Sequence, residues 1–251
     1  MYEALFGILV FCLLAAASLG VLFYHRRLPQ RLWQDDTVST VRLIAGFFTV
    51  MTSLVLGLMI NSAKNTYEAI DRNVHDYAMQ IILLDRALRN YGPETEPARE
   101  PLITYVARIV NDTTPDGGDR PISNRLSEHL LVEIGVQLRG LTSPNNDQIA
   151  LMQDARQHLS RVIELRWTLL EQSEGKIPSP MIVMLVAWLM LIFGSHGFLA
   201  PRNGIIVGSF VLSAVLIAGT IYLILDMNVP FRGAIQVSPD PLHRAYQEMK
   251  S

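Results

Sequence analysis

The sequence predicts an all-α membrane protein, and three observations predict it. Four stretches, Ala4–Tyr24, Leu43–Ile60, Met181–Ala200 and Ile205–Leu225, contain no Asp, Glu, Lys or Arg, and each approaches the roughly 20 apolar residues that a helical crossing of a bilayer needs. Beyond the second stretch, Tyr67, Ile70, Val74, Tyr77, Ile81, Leu84, Leu88 and Tyr91 recur at alternating spacings of 3 and 4, the signature of a packing helix. No segment shows the strict apolar–polar alternation of a half-buried strand.

The first stretch begins at residue 4 with no basic residues ahead of it, so a cleaved signal peptide is not expected; Ala15-Ala16-Ala17 resembles a cleavage site, but small residues also suit helix packing. Arg26-Arg27-Leu28-Pro29 and a polar run to Thr40 close a first hairpin with the second stretch. That second stretch passes without a helix breaker through Asn61-Ser62-Ala63-Lys64 into the heptad segment, which stops at Gly92-Pro93. A short helix follows from Pro97 to Val110, and Asn111 to Gly118 is a loop by composition. Ser123 can cap a third helix running to about Arg139. A fourth opens at Ser143-Pro144-Asn145-Asn146-Asp147 and runs to about Ser173. Its stripe of Met152, Ala155, Leu159, Val162, Arg166 and Leu169 is the natural partner of the heptad face. Gly175 to Pro180 breaks the chain before the second hairpin, whose Pro201-Arg202-Asn203-Gly204 link has to be a tight turn. The expected domains are therefore 1–61 (first hairpin), 62–177 (helical domain outside the bilayer), 178–226 (second hairpin) and a tail, 227–251, in which Ile235, Val237 and Leu242 lie against the helical domain.

Composition narrows the function classes. Half of the residues are hydrophobic, 18% are charged, and the net charge is −2, which gives no reason to expect nucleic acid as a partner. Cys12 is the single cysteine and lies in an apolar span, so an intrachain disulfide and thiolate zinc sites are excluded. There is no His-Glu-x-x-His, no Gly-x-Ser-x-Gly and no phosphate-binding glycine loop with Lys, and no cofactor is expected. Ser195 and His196 are adjacent, and neighbours on a helix do not face one another as nucleophile and base. The spans also lack the acidic residues that bind protons or sodium in coupled transporters. The expectation is a protein that is not an enzyme.

Two sets of residues are candidates for a membrane function. Gly46, Thr49, Ser53, Gly57, Asn61 and Lys64 share one face of the second span. Such a face can let helices approach closely, or it can line a water-filled path with Lys64 drawing anions to its mouth. Asp226, at the end of the fourth span, needs a partner at that depth, and Arg232 or Lys64 can supply one; it is either a cap that fixes how the tail leaves the bilayer or a gate. Asp85 and Arg86 fall off the heptad stripe and are expected in salt bridges to neighbouring helices or subunits.

Several patterns, in order along nearly the whole chain, resemble the bacterial bestrophin-like family. They are Ser62-Ala63-Lys64-x-x-Tyr67, Leu84-Asp85-Arg86 with Tyr91-Gly92-Pro93-Glu94, Ala200-Pro201-Arg202-Asn203, and Leu225-Asp226-x-x-x-Pro230-Phe231-x-Gly233-x-Ile235-x-Val237-Ser238-x-x-Pro241-Leu242. The resemblance implies the architecture of bestrophins, pentameric anion channels with four membrane helices per subunit, a cytosolic helical domain between the second and third, and a pore lined by the second. It implies as partners the lipid bilayer, further copies of the chain and small anions, and as location a bacterial inner membrane. The chain departs from bestrophins proper in two respects: its second span carries only the adjacent pair Phe47 and Phe48 in place of large apolar residues at four-residue steps, and no dense acidic cluster is fit to grip calcium. A second class of function stays open, a membrane-anchored scaffold or sensor whose helical domain binds a partner without conduction. Sidedness is argued both ways, since Arg26, Arg27, Arg31 and Arg42 would hold the first loop in the cytoplasm and the domain outside, whereas the analogy puts the domain in the cytoplasm, the side adopted here.

Overall fold

The structure is a computed structural model that describes residues 2–24, 35–112, 125–142, 145–173, 178–229, 231 and 235–250. Its elements are helices: α1 (Tyr2–Tyr24), α2 (Asp35–Tyr91), α3 (Glu96–Asp112), α4 (Arg125–Gly140), α5 (Asn146–Gln172), α6 (Ser179–Leu199), α7 (Gly204–Met227) and α8 (Asp240–Lys250). The all-α expectation holds. Four of the helices are long and apolar enough to cross a membrane. The residues fall into two compact units, Met1–Tyr67 with Gly175–Gln236, and Glu68–Glu174 with Val237–Ser251, and α2 contributes to both.

In the first unit α1 packs on both α6 and α7. Its inward face, Val10, Leu14, Ser18 and Leu22, is fully buried, and with Leu185, Leu189, Ala214, Ile221, Met59 and Ala63 it belongs to a core drawn from all four spans. Helices in a bilayer gain little from hydrophobic burial between themselves and associate by close packing, which small residues permit. Gly197 shows this directly: a Cβ there would sit inside the van der Waals shell of the Ser18 carbonyl. The α6–α7 link is the tight turn expected, and Asn203 caps α7 by accepting from the Ile206 N–H at 2.8 Å. Arg202 reaches back to α1, where its Nε donates to the Leu22 carbonyl at 2.8 Å and its second nitrogen to that of Phe23. Two carbonyls at the end of α1 that lie beyond the reach of its own N–H groups are thereby satisfied.

In the second unit the heptad stripe turns inward. Ile70, Val74, Tyr77, Ile81, Leu84, Leu88 and Tyr91 are all buried, and so is the α5 stripe of Met152, Ala155, Leu159, Val162, Arg166 and Leu169. Hydrogen bonds from Asn73 to Gln172 (2.9 Å) and between Gln80 and His158 (2.7 Å) tie α2 to α5. At Gly92 the backbone takes φ 131°, a conformation open to glycine at little cost, and a single 3-10 turn, Pro93–Thr95, leads into α3. Thr95 locks the corner by donating to the Leu88 carbonyl at 2.6 Å.

The tail holds the one element that the sequence reading missed. Asp240–Lys250 is a helix, with Pro241 and the buried Leu242, Ala245 and Met249 on its inner side. Val237 and Leu242 belong to the helical unit and Ile235 to the membrane unit. Asp85 lies off the heptad stripe and is nonetheless buried, because α8 and α3 cover that side of α2. The carboxylate is 3% exposed and bridges Arg89 and Arg99, each at 2.8 Å. Both arginines also donate to the Met249 carbonyl near the end of α8, at 2.6 and 2.9 Å. Arg86 pairs with Glu248 at 3.5 Å, both side chains being exposed.

Breaking a buried ion pair by removing one partner strands the other charge. Asp85→Ala is therefore expected to destabilise the helical unit by about 3 kcal/mol and to speed amide exchange in residues 240–250, while Arg86→Ala should be near neutral; equal effects of the two in thermal unfolding would contradict this account. A second expectation concerns alkali. The Tyr77 and Tyr105 hydroxyls hydrogen-bond to one another in the core, and burial, foremost, pushes Tyr77 well above the ordinary tyrosine value and Tyr105 up to about 12. The folded state then keeps protons that an unfolded tyrosine releases near pH 10. Stability is present below about pH 10 and lost as pH rises through about 12, and Tyr105→Phe should shrink that loss in chemical unfolding measured across this range.

Candidate functional site

All six residues of the small and polar stripe lie on the exposed side of α2 in the single chain. A Cβ added to Gly46 or Gly57 would meet nothing within 4 Å. The buried side of the same span is a different set, Ala45, Thr52, Met59 and Ala63, with Phe48 stacked at a tilt on Trp188 of α6, ring centroids 6.2 Å apart. Among the described residues the stripe is therefore left exposed rather than packed. Thr49 and Ser53 satisfy their hydroxyl protons on the carbonyls one turn back, Ala45 at 2.8 Å and Thr49 at 2.9 Å, which leaves their oxygen lone pairs outward. Alongside runs a second exposed strip of large apolar residues, Phe47, Val50, Leu54 and Leu58. Helix periodicity sets this strip next to the polar one.

Asp226 closes the far end of the membrane unit. It is 1% exposed, beside the buried Asn228, where α7 ends and the backbone turns through an Asn228 N–H to Leu225 carbonyl bond of 3.2 Å. The sequence pointed to a side-chain cation as its partner. Among the described residues the Ile235 backbone N–H donates to its Oδ2 at 2.7 Å; Arg232 lies outside them. One residue on, the Gln236 carbonyl accepts from the Tyr67 hydroxyl of α2 at 3.1 Å. The carboxylate thus closes a loop of nine residues by accepting from backbone. The Ser62–Tyr67 stretch supplies the phenol here, and Leu225–Ser238 the carboxylate and the carbonyl.

Asp85 and Arg86 belong to the helical unit. The residues the sequence reading missed here are Arg89 and Arg99, which hold the end of α8. Their signal was present in the spacing of Leu242, Ala245 and Met249 behind Pro241, a helix start and stripe. Ser195 donates to the Leu191 carbonyl at 2.8 Å rather than to its neighbour His196. Among the described residues no group of three His, Cys, Asp or Glu is arranged to hold a metal ion.

Comparison with known proteins decides the family. The chain matches the family described as the Bestrophin-like domain over residues 12–242. It belongs to the bestrophin-like family. Among solved structures, a bacterial bestrophin homologue from Klebsiella pneumoniae superposes with a TM-score of 0.65 at 15% identity, covering 96% of each chain. A single-residue variant of that homologue gives 0.70 at 11% identity over 97% of each. At these identities the likeness concerns the fold, and it extends over the spans and the helical unit alike. No curated protein sequence matches the chain. Family and apolar helices together make this a multi-pass membrane protein.

The Asp226 loop yields a test. Asp226→Ala leaves the Ile235 N–H without its acceptor and should cost about 1–3 kcal/mol, with faster proteolysis around residues 231–239. Asp226→Asn keeps an acceptor oxygen and should recover most of that loss. If Asn is as damaging as Ala in detergent unfolding, the negative charge rather than the acceptor is what the loop needs.

Proposed function

We propose that the chain assembles with copies of itself into a passive channel for small anions, with α2 of each subunit facing the path. The observation that carries this reading is the stripe Gly46, Thr49, Ser53, Gly57, Asn61 and Lys64, which no other helix of the chain covers. Hydroxyl, amide and ammonium groups on one face suit a hydrated anion, and Lys64 sets a positive charge at its end. The adjoining Phe47, Val50, Leu54 and Leu58 would then meet lipid or the next subunit. Membership of the bestrophin-like family supports an assembly of this type, pentameric by the analogy, in a bacterial inner membrane with the helical unit in the cytoplasm.

A second reading, a membrane-anchored scaffold, is favoured by one feature of the helical unit. A groove between α4 and α5 is lined by Leu131, Val132, Gly135, Leu138, Leu159 and Ile163, and Val132 and Val136 are exposed, an apolar surface of the kind partners use. Chloride flux into liposomes separates the two. The channel reading expects flux from the purified oligomer, abolished by Ser53→Leu with oligomer size unchanged in light scattering, and reduced anion preference in Lys64→Gln. Loss of assembly in Ser53→Leu would make the stripe a packing seam, and absence of flux from an intact oligomer across pH and calcium conditions would favour the scaffold.

A further inference from the structure

The core of the helical unit contains polar groups with unused hydrogen-bonding capacity, although the Arg166 guanidinium does lie over the Trp167 ring, its carbon 5.5 Å from the centroid. Arg166 is 2% exposed and Ser127 fully buried, yet the Arg166 Nε and the Ser127 Oγ have no hydrogen-bond partner. Tyr77 and Tyr105, both fully buried, share one hydrogen bond between their hydroxyls. Two hydroxyls carry two protons and their mutual bond uses one, so the pair has a second O–H to donate. Arg166 is close enough to bear electrostatically on both phenols.

Helix register brings these groups to one level. α4 and α5 run antiparallel, with Arg156 donating to the Leu138 carbonyl at 3.1 Å and Gly135 set against Leu159, whose Cδ2 is 3.7 Å from a Cβ built at the glycine. Two turns further along this pair, Ser127 and Arg166 come level, each on the buried stripe of its helix. From the other side, the Asn73–Gln172 and Gln80–His158 bonds bracket Tyr77 on α2 and Arg166 on α5. Tyr105 is placed by its bond to Tyr77. The four residues come from four helices, α2, α3, α4 and α5.

What they present is one-sided. Arg Nε–H, Ser O–H and a phenol O–H all donate, and the guanidinium carries a full positive charge in any protein. A buried charge of this kind requires a counter-charge or a set of acceptors. Ser127 also lies in the first turn of α4, where backbone N–H groups and the helix dipole add positive potential, while the acidic side chain of that turn, Glu128, is exposed. Several other helical hydroxyls among the described residues donate to a carbonyl one turn back, as Thr168 does to Glu164 at 3.0 Å. Ser127 does not, which leaves its proton for another acceptor.

We infer that Arg166, Ser127 and the Tyr77–Tyr105 pair form a buried site for a small monovalent anion of halide type in the core of the helical unit. A single charge fits because it neutralises the single guanidinium; a divalent oxyanion would bring a second negative charge into an apolar core. The site belongs to the second unit, apart from the membrane stripe, and it binds at equilibrium whether or not the protein conducts. It makes chloride a ligand of the fold in addition to the proposed permeant ion.

The test uses the full chain in detergent, titrated with bromide or chloride against gluconate at constant ionic strength. A saturating ligand near a hundredfold its Kd should raise Tm by roughly 5 to 10 °C. Ser127→Ala keeps the fold and should weaken the halide response about tenfold or more, the loss of one hydrogen bond to a charged group. Arg166→Met removes both charge and donor and should abolish the response without lowering the stability measured in gluconate. Anomalous diffraction from a bromide-soaked crystal should place a peak within hydrogen-bonding reach of the Arg166 Nε. An unchanged halide response in both variants, the absence of any response in the native chain, or density without anomalous signal at saturating bromide would overturn the assignment.

Discussion

The fold rests on α2 remaining one helix across two environments. Within a bilayer every backbone N–H and C=O has to be satisfied inside its own segment, and outside it a helix is held mostly by the apolar face it buries. The 57 residues Asp35–Tyr91 meet both demands with no Pro or Gly break at the crossing. The residue pattern changes at Asn61–Lys64 while the backbone does not. Each unit then organises its own helices against its own length of α2, and the first breaker, Gly92-Pro93, comes only after the last heptad residue is buried.

The two units are built by different physics. Around α1 the close approach at Gly197 and Ser18 matters more than apolar area, since lipid would solvate the same side chains. Around the heptad stripe water is the competing solvent, and burial of Ile81, Leu84, Leu88 and their α5 partners drives packing. The polar residues that each core admits differ accordingly. In the membrane unit hydroxyls such as that of Ser18 donate to a carbonyl one turn back, Leu14 at 3.0 Å, while the buried Thr52 hydroxyl has no partner among the described residues. The helical unit instead brings arginines inward, at Asp85 and at Arg166.

Much of this was legible in the sequence because period and hydrophobicity are local properties. The spans, the heptad stripe, the α5 stripe and the Pro201–Gly204 turn could each be read within a window of a few turns. What could not be read was burial imposed from a distance. Asp85 looks like a solvent residue until α8, about 150 residues later, covers it. The backbone N–H that Asp226 accepts from, nine residues on, leaves no mark in a residue pattern either. Arg166 was counted into an apolar stripe by spacing alone, and only the burial of its guanidinium shows that this position is chemically distinct. The stripe on α2 was legible as a pattern, but its exposure was not, since that depends on where α6 and α7 lie.

The Arg202 bridge to Leu22 and Phe23 has a consequence for biosynthesis. The arginine lies 180 residues after the carbonyl it satisfies, so α1 leaves the ribosome long before its own end can be completed. Until the second hairpin is inserted, that end of α1 has to borrow hydrogen bonds from headgroup water. Translation order and structural order are therefore inverted at this point: the first span to be made is among the last to be finished, and the late-arriving turn seals a subunit that has otherwise already been threaded into the membrane.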